Sequence, residues 1–532
     1  MPLPTDGNTA WPPKRFDMVA QAMNEHATWW GGDPSKLSEL YGGLAQSGDR
    51  RGRSILTNRP SQYRGGLQGW IARLFWGRPI PTGELRSKLH IPLASDIATT
   101  SADLIFAEPP KISLDDTAAQ RRLDDLTDLG MLHATLVEAA EVQSPLGGVY
   151  VATTWDDRVV GFPWLRAVHA DAVVPEFVWG RLRAATLWRI VAAEGQTVWR
   201  HLERHEPGVI LHGLFRGSYE VLGQRLPLRG HPATADLPDQ VEGIPGRLTV
   251  DYVPNMRPNR IERGSEYAPL GRSDYSPGGL TIMDALDETW SSWMRDVRLA
   301  KARLLVPEQY LQNNGPGEGA TFDEEREIYS TLQMLTRPGE GQSITQSQFA
   351  IRVAEHRDTA HELVTNAVRS CGYSEQSFGL ADGVAMTATE VEARERRSMI
   401  TRSKKVLYWR YGLREAITTL LLVDQQKFGG VGPGGQPPKV EFPPGVQDTL
   451  ATVAQTLQLL AAAEAASTET KVRLAHPDWD DDQVRAEVRQ IREDVTISAV
   501  GHDPGAEPPP PAAAPGGGGQ SAEPFTPAGS AP

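Results

Sequence analysis

The chain has 532 residues, of which 39% are apolar and 23% charged, enough for about three or four average domains. Its net charge of −13 argues against a surface that grips nucleic-acid phosphates throughout, and its single cysteine, Cys371, excludes a disulfide framework and a Cys-based zinc site. No run approaches the roughly 18 apolar residues of a transmembrane helix, and Met1-Pro-Leu-Pro-Thr-Asp6 lacks the basic-then-apolar pattern of a secretory signal. The expectation is a soluble, acidic protein of a reducing compartment.

In chain order, apolar spacing at Phe16, Val19, Ala20, Met23 and Ala27 predicts a helix over 15–30. The stretch 50–88 is basic and irregular, with Tyr63, Trp70, Phe75 and Trp76 set among nine Lys/Arg, a texture that suits nucleic acid or a protein partner equally. Helices are predicted over 93–107, stopped by Pro109-Pro110, and over 116–129 and 131–143, joined at Gly130. From 147 to 253 short β-rich runs separated by Asp156-Asp157, Glu194-Gly195 and Pro207-Gly208 predict antiparallel sheet. No βαβ alternation appears there, which disfavours a doubly wound nucleotide-binding sheet.

Beyond a Gly/Pro-rich connector, helices are predicted over 281–303, 347–370 and 387–428, with a short one near 323–335. The third opens on a capping box, Thr387-Ala-Thr-Glu390, and holds only one glycine, Gly412, where a bend is expected. Its nine Lys/Arg stand against five acids, and Arg394, Arg396, Arg397, Arg402, Lys404 and Lys405 are candidates for DNA phosphates or for a neighbouring subunit. Two further helices are predicted over 446–466 and 481–494, the second capped at Trp479-Asp480. Residues 446–532 carry 13 Asp/Glu against 5 Lys/Arg, and the 9 Pro, 7 Gly and 7 Ala of 501–532 predict a disordered tail.

Catalytic signatures are scarce. The chain has no P-loop motif, no Gly-x-Ser-x-Gly elbow and no His-Glu-x-x-His, so no enzyme, cofactor or metal is expected. His201 and His205 are four apart, but their segment reads as strand, where they would be splayed; ordinary surface histidines are the expectation. Asp480-Asp481-Asp482 reads as helix capping rather than a divalent-ion site.

Three stretches in order resemble the portal proteins of tailed bacteriophages, especially the long-tailed type with actinobacterial hosts. They are His90-Ile-Pro-Leu-Ala-Ser-Asp-Ile-Ala-Thr-Thr-Ser-Ala-Asp-Leu-Ile-Phe-Ala-Glu-Pro-Pro110, then Gly372-Tyr-Ser-Glu-Gln-Ser-Phe-Gly379 leading into Ala388-Thr-Glu-Val-Glu-Ala-Arg-Glu395, then His476-Pro-Asp-Trp-Asp480. The resemblance spans about 90–495. It implies an α+β portal fold: a mixed α/β wing over 1–279, stem helices at 280–303 and 347–371 around a clip at 304–346, and a tunnel loop at 372–386. A long, kinked wing helix with return strands would follow over 387–445, and a helical crown over 446–500, leaving the 501–532 tail unexplained.

The same resemblance implies a ring, twelve-fold in the virion, at one capsid vertex, which passes double-stranded DNA during packaging and ejection. Implied partners are the terminase large subunit, a head–tail adaptor and the major capsid and scaffold proteins, in the virion and in the host cytoplasm during assembly, with no membrane. The implied tunnel-loop residues are Ser374, Gln376, Ser377, Phe378, Leu380 and Asp382, with Phe378 and Leu380 as packing or wedge residues. Channel-facing stem candidates are Asp284, Asp287, Glu288, Arg295, Arg298 and Lys301, which could equally bridge neighbouring subunits. Clip contacts with adaptor or motor would fall to Tyr310, Asn313, Asn314 and Glu318. The competing readings are a minor head protein that forms no channel, and an enzyme whose site lies in the β-rich half.

Overall fold

The computed structural model describes residues 3–4, 9–46, 89–276, 278–299, 303–305, 312–313, 320–321, 345–347, 351–379, 388–443, 450–463, 465–476, 479 and 481–500. The basic stretch 50–88, the short helix expected near 323–335, the capping residue Thr387 and the tail 501–532 lie outside them. The chain divides into two units, Met1–Gly445 and Val446–Pro532.

The first unit opens with helices α1 (Asp17–Gly31), α2 (Pro34–Gln46) and α3 (Leu93–Phe106). Strand β1 (Lys111–Ser113) leads to α4 (Thr117–Leu129) and α5 (Leu132–Leu146). The Asp116 side chain caps α4 by accepting from the Ala118 amide at 3.0 Å. Helix α2 has no counterpart among the predicted helices.

The β-rich region is antiparallel throughout, as its turn signals predict. Strands β2 (Gly148–Thr154), β3 (Trp164–His169) and later β10 (Val250–Pro254) form a three-stranded sheet in the order β10-β2-β3. Between them, β4 (Val173–Val178), β5 (Arg181–Glu194), β6 (Thr197–Glu206), β7 (Val209–Gly217) and β8 (Gln224–Leu226) build a second sheet in chain order, with β9 (Gln240–Glu242) also paired to β7.

Helix α6 (Gly279–Leu299) follows, then the short strands β11 (Arg303–Leu305), β12 (Gln312–Asn313), β13 (Ala320–Thr321) and β14 (Thr345–Ser347). Helix α7 (Val353–Cys371) leads through a single-turn helix, Glu375–Phe378, to α8 (Ala388–Val423), whose end continues as a π turn, Asp424–Phe428. Strand β15 (Lys439–Glu441) pairs back onto β1. The helix expected from 347 therefore begins at Val353 and not at Ser347. Thr345–Ser347 pairs with Arg303–Leu305 instead, in a ladder the helical periodicity did not reveal.

At 1.5 Å per residue the 36 residues of α8 make a rod of about 54 Å. Its buried side, Val406, Trp409, Leu413, Ala416, Ile417, Leu420 and Leu421, runs through the main core. Trp409 meets Phe106 of α3 edge-on at 4.9 Å and donates its indole N–H to Gln143 of α5 at 2.8 Å. The helix continues unbroken through Gly412, the expected bend. The residue is small for a different reason: a Cβ there would lie 2.5 Å from Val253 Cγ2 of β10, so glycine lets the sheet press against the rod. A second core joins Trp29, Leu37, Tyr275, Leu286, Val368 and Tyr373.

The second unit holds α9 (Leu450–Ala462), α10 (Thr468–Ala475) and α11 (Asp481–Val500). Helix α10, absent from the sequence reading, is capped by Ser467 and packs Val472 against Val484 and Val488 of α11. His476 stacks on Trp479 at 3.8 Å, which closes the turn between α10 and α11.

Gly412→Ala is expected to lower the denaturant midpoint by an amount equivalent to about 1–3 kcal/mol through overpacking against Val253. Adding Val253→Ala to it should recover part of that loss in a double-mutant cycle by chemical denaturation.

Candidate functional site

Helices α6 and α7 are antiparallel. At one end a Cβ on Gly279 of α6 would touch the Cys371 sulfur of α7 at 3.3 Å; at the other Asp296 of α6 binds Arg352 at 2.9 Å and His356 at 3.0 Å. The His356 hydrogen bond, then Arg352, holds the Asp296 carboxyl below its ordinary range. His356 also stacks on Trp293, which packs on Trp290 at 4.9 Å. Past this end the β11–β14 ladder gathers the two strands that bound residues 306–344, and within them β12 pairs β13 with Asn313 opposite Ala320. Tyr310, Asn314 and Glu318 lie outside the described residues.

Two of the acids expected to line a channel do not face outward. Asp284 and Asp287 are buried, because with Leu280 and Met283 they occupy i, i+3, i+4 and i+7 on one face of α6, the face against the second core. Asp287 accepts from the Ile91 amide at 2.9 Å and binds His90 Nδ1 at 2.7 Å, which fixes the chain entering α3. Glu288 and Arg295 are exposed on the remaining face. The Arg298 side chain and Lys301 are outside the description.

The turn after α7 is held down rather than projecting over its first half. Gly372 takes φ +100°, a left-handed conformation that ends α7, and its carbonyl accepts from Thr401 Oγ1 at 2.6 Å. Ser374 is buried; its amide donates to Ser398 Oγ at 2.9 Å, and the hydroxyls of Ser374 and Ser377 each lie 2.8 Å from the same oxygen. Phe378 packs beside Tyr373 against the second core, and Gln376 is half-buried. These contacts correct the expectation of a projecting loop for Ser374 and Ser377, whereas Phe378 packs, one of the two roles expected of it. Leu380 and Asp382 lie outside the described residues.

The long helix is locked by a buried charge. Lys405 Nζ donates to Asp274 Oδ2 at 2.6 Å, Ser101 Oγ at 2.7 Å and Tyr373 Oη at 2.8 Å, so all three ammonium protons are used. Asp274 also accepts from Ser144, Tyr373 and Asn255, each at 2.8 Å. Burial pulls the Lys405 pKa down while Asp274 opposes that pull. Nothing in the spacing of Asp274, Ser101 and Tyr373 along the chain announces this cluster, which removes Lys405 from the candidates for DNA phosphates or a neighbouring subunit. Arg402 and Arg397 are similarly committed. Arg402 donates to the carbonyls of Leu104 and Pro443, each at 2.6 Å, and Arg397 to that of Arg369 at 2.6 Å. Arg396 and Lys404 remain exposed.

His201 and His205 are buried, which overturns their reading as surface histidines. They share one face of β6 with Glu203 between them, about 13 Å apart along the strand. His201 Nε2 lies 3.2 Å from Nδ1 of His212, with the rings stacked; His205 binds Glu203 at 2.9 Å and Thr249 at 2.6 Å. Arg166 of β3 reaches both oxygens of Glu203, at 3.0 and 3.1 Å. Among the described residues no group of three or more His, Cys, Asp or Glu could hold a metal ion. Burial is the main reason that the His201 pKa falls to about 4, and it lowers that of His212 too. A cleft of about 1000 Å³ opens beside this cluster, lined in part by Trp155, Trp164, Trp188 and Phe428.

No family model and no curated protein matches the chain. Among solved structures, it is similar to a chain from the virion of a native gene transfer agent particle, at 14% identity over 77% of this chain and 99% of that one, with a TM-score of 0.35. Two further similar chains come from the particle's neck. One is from an empty particle solved with C6 symmetry (15% identity, 75% and 95% covered, TM-score 0.34). The other is from a native particle with C12 symmetry (12% identity, 75% and 89% covered, TM-score 0.34). Likeness at this level does not by itself assign the fold.

Lys405→Met strands Asp274 in the interior and is expected to cost about 3–5 kcal/mol by chemical denaturation, part of which Asp274→Asn should restore in the double variant. For His201 the folded-state pKa lies below the unfolded one, so its contribution is complete above pH 6.5 and is lost as pH falls from 6.5 toward 4. A protonated His201 would meet His212, Arg189 and Arg166, with Glu203 as the offsetting charge. His201→Gln should flatten that decline by about 2 kcal/mol in urea melts at pH 7 and pH 4.5.

Proposed function

We propose that this chain is the subunit of a portal ring, the conduit for double-stranded DNA at one vertex of a tailed-phage-type capsid. The observation that carries the reading is the stem: two antiparallel helices whose far ends are gathered by the β11–β14 ladder around residues 306–344, and whose near end returns through a pinned turn into a 36-residue helix. This supports the order of wing, stem, clip, stem, loop and wing helix that the sequence resemblance implies.

The electrostatics suit a conduit. Duplex DNA must slide, and a bore rich in unpaired cations would trap it. Several cations of the long helix are occupied internally, by Asp274 or by backbone carbonyls, and the chain as a whole is acidic. On this reading the ring is not an enzyme. It docks a terminase motor that supplies ATP hydrolysis, and a head–tail adaptor meets the clip. The part of the 372–386 loop that could approach DNA is then 380–386, beyond the segment that Ser398 holds.

The test is the mass and symmetry of the purified chain, alone and coexpressed with capsid and scaffold proteins, by mass photometry and negative-stain averaging. Closed rings of about twelve copies with a central hole wide enough for a duplex are the expected result. A monomer or dimer under all of these conditions would overturn the channel and leave a minor head protein in its place.

A further inference from the structure

Helix α8 is apolar on two sides. Its inner side, with Val406, Trp409, Leu413 and Leu420, fills the main core. Its outer side carries Ile400, Leu407 and Tyr411, which are 47%, 63% and 48% exposed. With Arg396 and Lys404 they recur every third or fourth residue, so they form one stripe along the helix. A surface helix ordinarily keeps its apolar residues for the core and its charges for water. One that is apolar on both sides is made to be covered.

The charges of the stripe are of one sign. From Arg396 to Tyr411 the sequence holds no Asp or Glu. Arg397, Arg402 and Lys405 are taken up by backbone carbonyls and by Asp274, which leaves Arg396, Lys404 and Arg410 exposed around the apolar residues. None of these three is in a salt bridge among the described residues. Phosphates would use the cations but leave Ile400 and Leu407 uncovered. An acidic protein surface with an apolar centre uses both.

Such a surface lies at the turn between α4 and α5. Leu129 and Met131 are 58% and 71% exposed there, and Met131 takes φ +47°, a left-handed conformation that a bulky side chain rarely adopts. Neither side chain serves the core of this chain. Asp125, Asp128 and Leu129 share one side of α4 at i, i+3 and i+4, and Ala134 and Glu138 follow Met131 on one side of α5. Asp125, Asp128 and Glu138 are exposed and form no salt bridge among the described residues. With Asp124, the exposed acids of these two helices stand against Arg121 alone, since Arg122 is held by Asp424. The patch is thus apolar at its centre and acidic around it, the counterpart of the stripe on α8. Two different, complementary patches on one chain make a head-to-tail contact, the kind that closes into rings.

We propose that the basic stripe of α8 in one copy packs against the acidic α4–α5 turn of the next copy. This rests on the ring reading and specifies a contact by which the ring closes. In the test, full-length chains carry either Lys404→Glu with Arg410→Glu, or Asp125→Lys with Asp128→Lys. Each pair should raise the concentration needed for assembly at least tenfold, with the monomer's melting unchanged because all four side chains are exposed. The chain with all four changes should recover most of that loss, which a misfolded variant would not do. Leu407→Cys chains coexpressed with Leu129→Cys chains should give crosslinked dimers with a short bis-maleimide; Cys371 is buried and stays in place. No crosslink is expected when Met18→Cys, exposed on α1, replaces Leu129→Cys. Wild-type rings that are indifferent to both charge reversals, with no crosslink between the cysteine pair, overturn this contact and leave the ring reading standing. Reversal on α8 that leaves assembly intact but abolishes retention of packaged duplex DNA also overturns it, and assigns the stripe to phosphates. Failure of wild type to assemble under any condition overturns the ring reading itself, and this contact with it.

Discussion

The pairing of Lys405 with Asp274 is the constraint on which most of the larger unit depends. Its ligands come from α3, α5, the connector after β10, the turn after α7 and α8. A buried lysine tolerates its desolvation only if every proton finds an acceptor, so these segments must arrive together or the charge is stranded. The turn after α7, the long helix and the connector before α6 are thereby held in one register. A hydrophobic contact at the same place would tolerate sliding; three directed hydrogen bonds to one ammonium do not.

The same logic reassigns the charges of α6. An acid on an amphipathic helix is ordinarily read as a solvent-facing group, but Asp287 sits in the apolar stripe and serves as acceptor for the Ile91 amide and His90. Asp296 ties the C-terminal part of α6 to the start of α7 through Arg352 and His356. What remains outward on the described part of α6 is Glu288 and Arg295, a sparse and nearly balanced pair.

In the β-rich half, Arg166 of β3 bridges to Glu203 of β6 and so joins the two sheets, while the His201–His212 stack links β6 to β7 and His205 braces Glu203 within β6. Each carboxylate oxygen of Glu203 is in use, which accounts for its place, half-buried, between two buried histidines. Its pKa lies well below the carboxylate range, with His205 and Arg166 outweighing the cost of burial.

Local chemistry alone settled much of the architecture. The 3.6-residue spacing of small apolar residues places α1, α3 and α6, the Gly-bearing turns place the hairpins, and the absence of proline from 388–428 allows one long helix. These are short-range properties, decided by side chains within a turn or two of each other. The fate of an individual charge is not short-range. Lys405 and Lys404 are neighbours with the same chemistry, yet one is sealed in the core and the other is in water, because 100° of helix rotation separates the face toward Asp274 from the face toward solvent. Gly412 likewise reads as a hinge until Val253, 159 positions away in the chain, is seen against it. Which cations are free, which acids are exposed and why a glycine is needed are set by segments hundreds of residues apart, and only the packed chain brings those segments together.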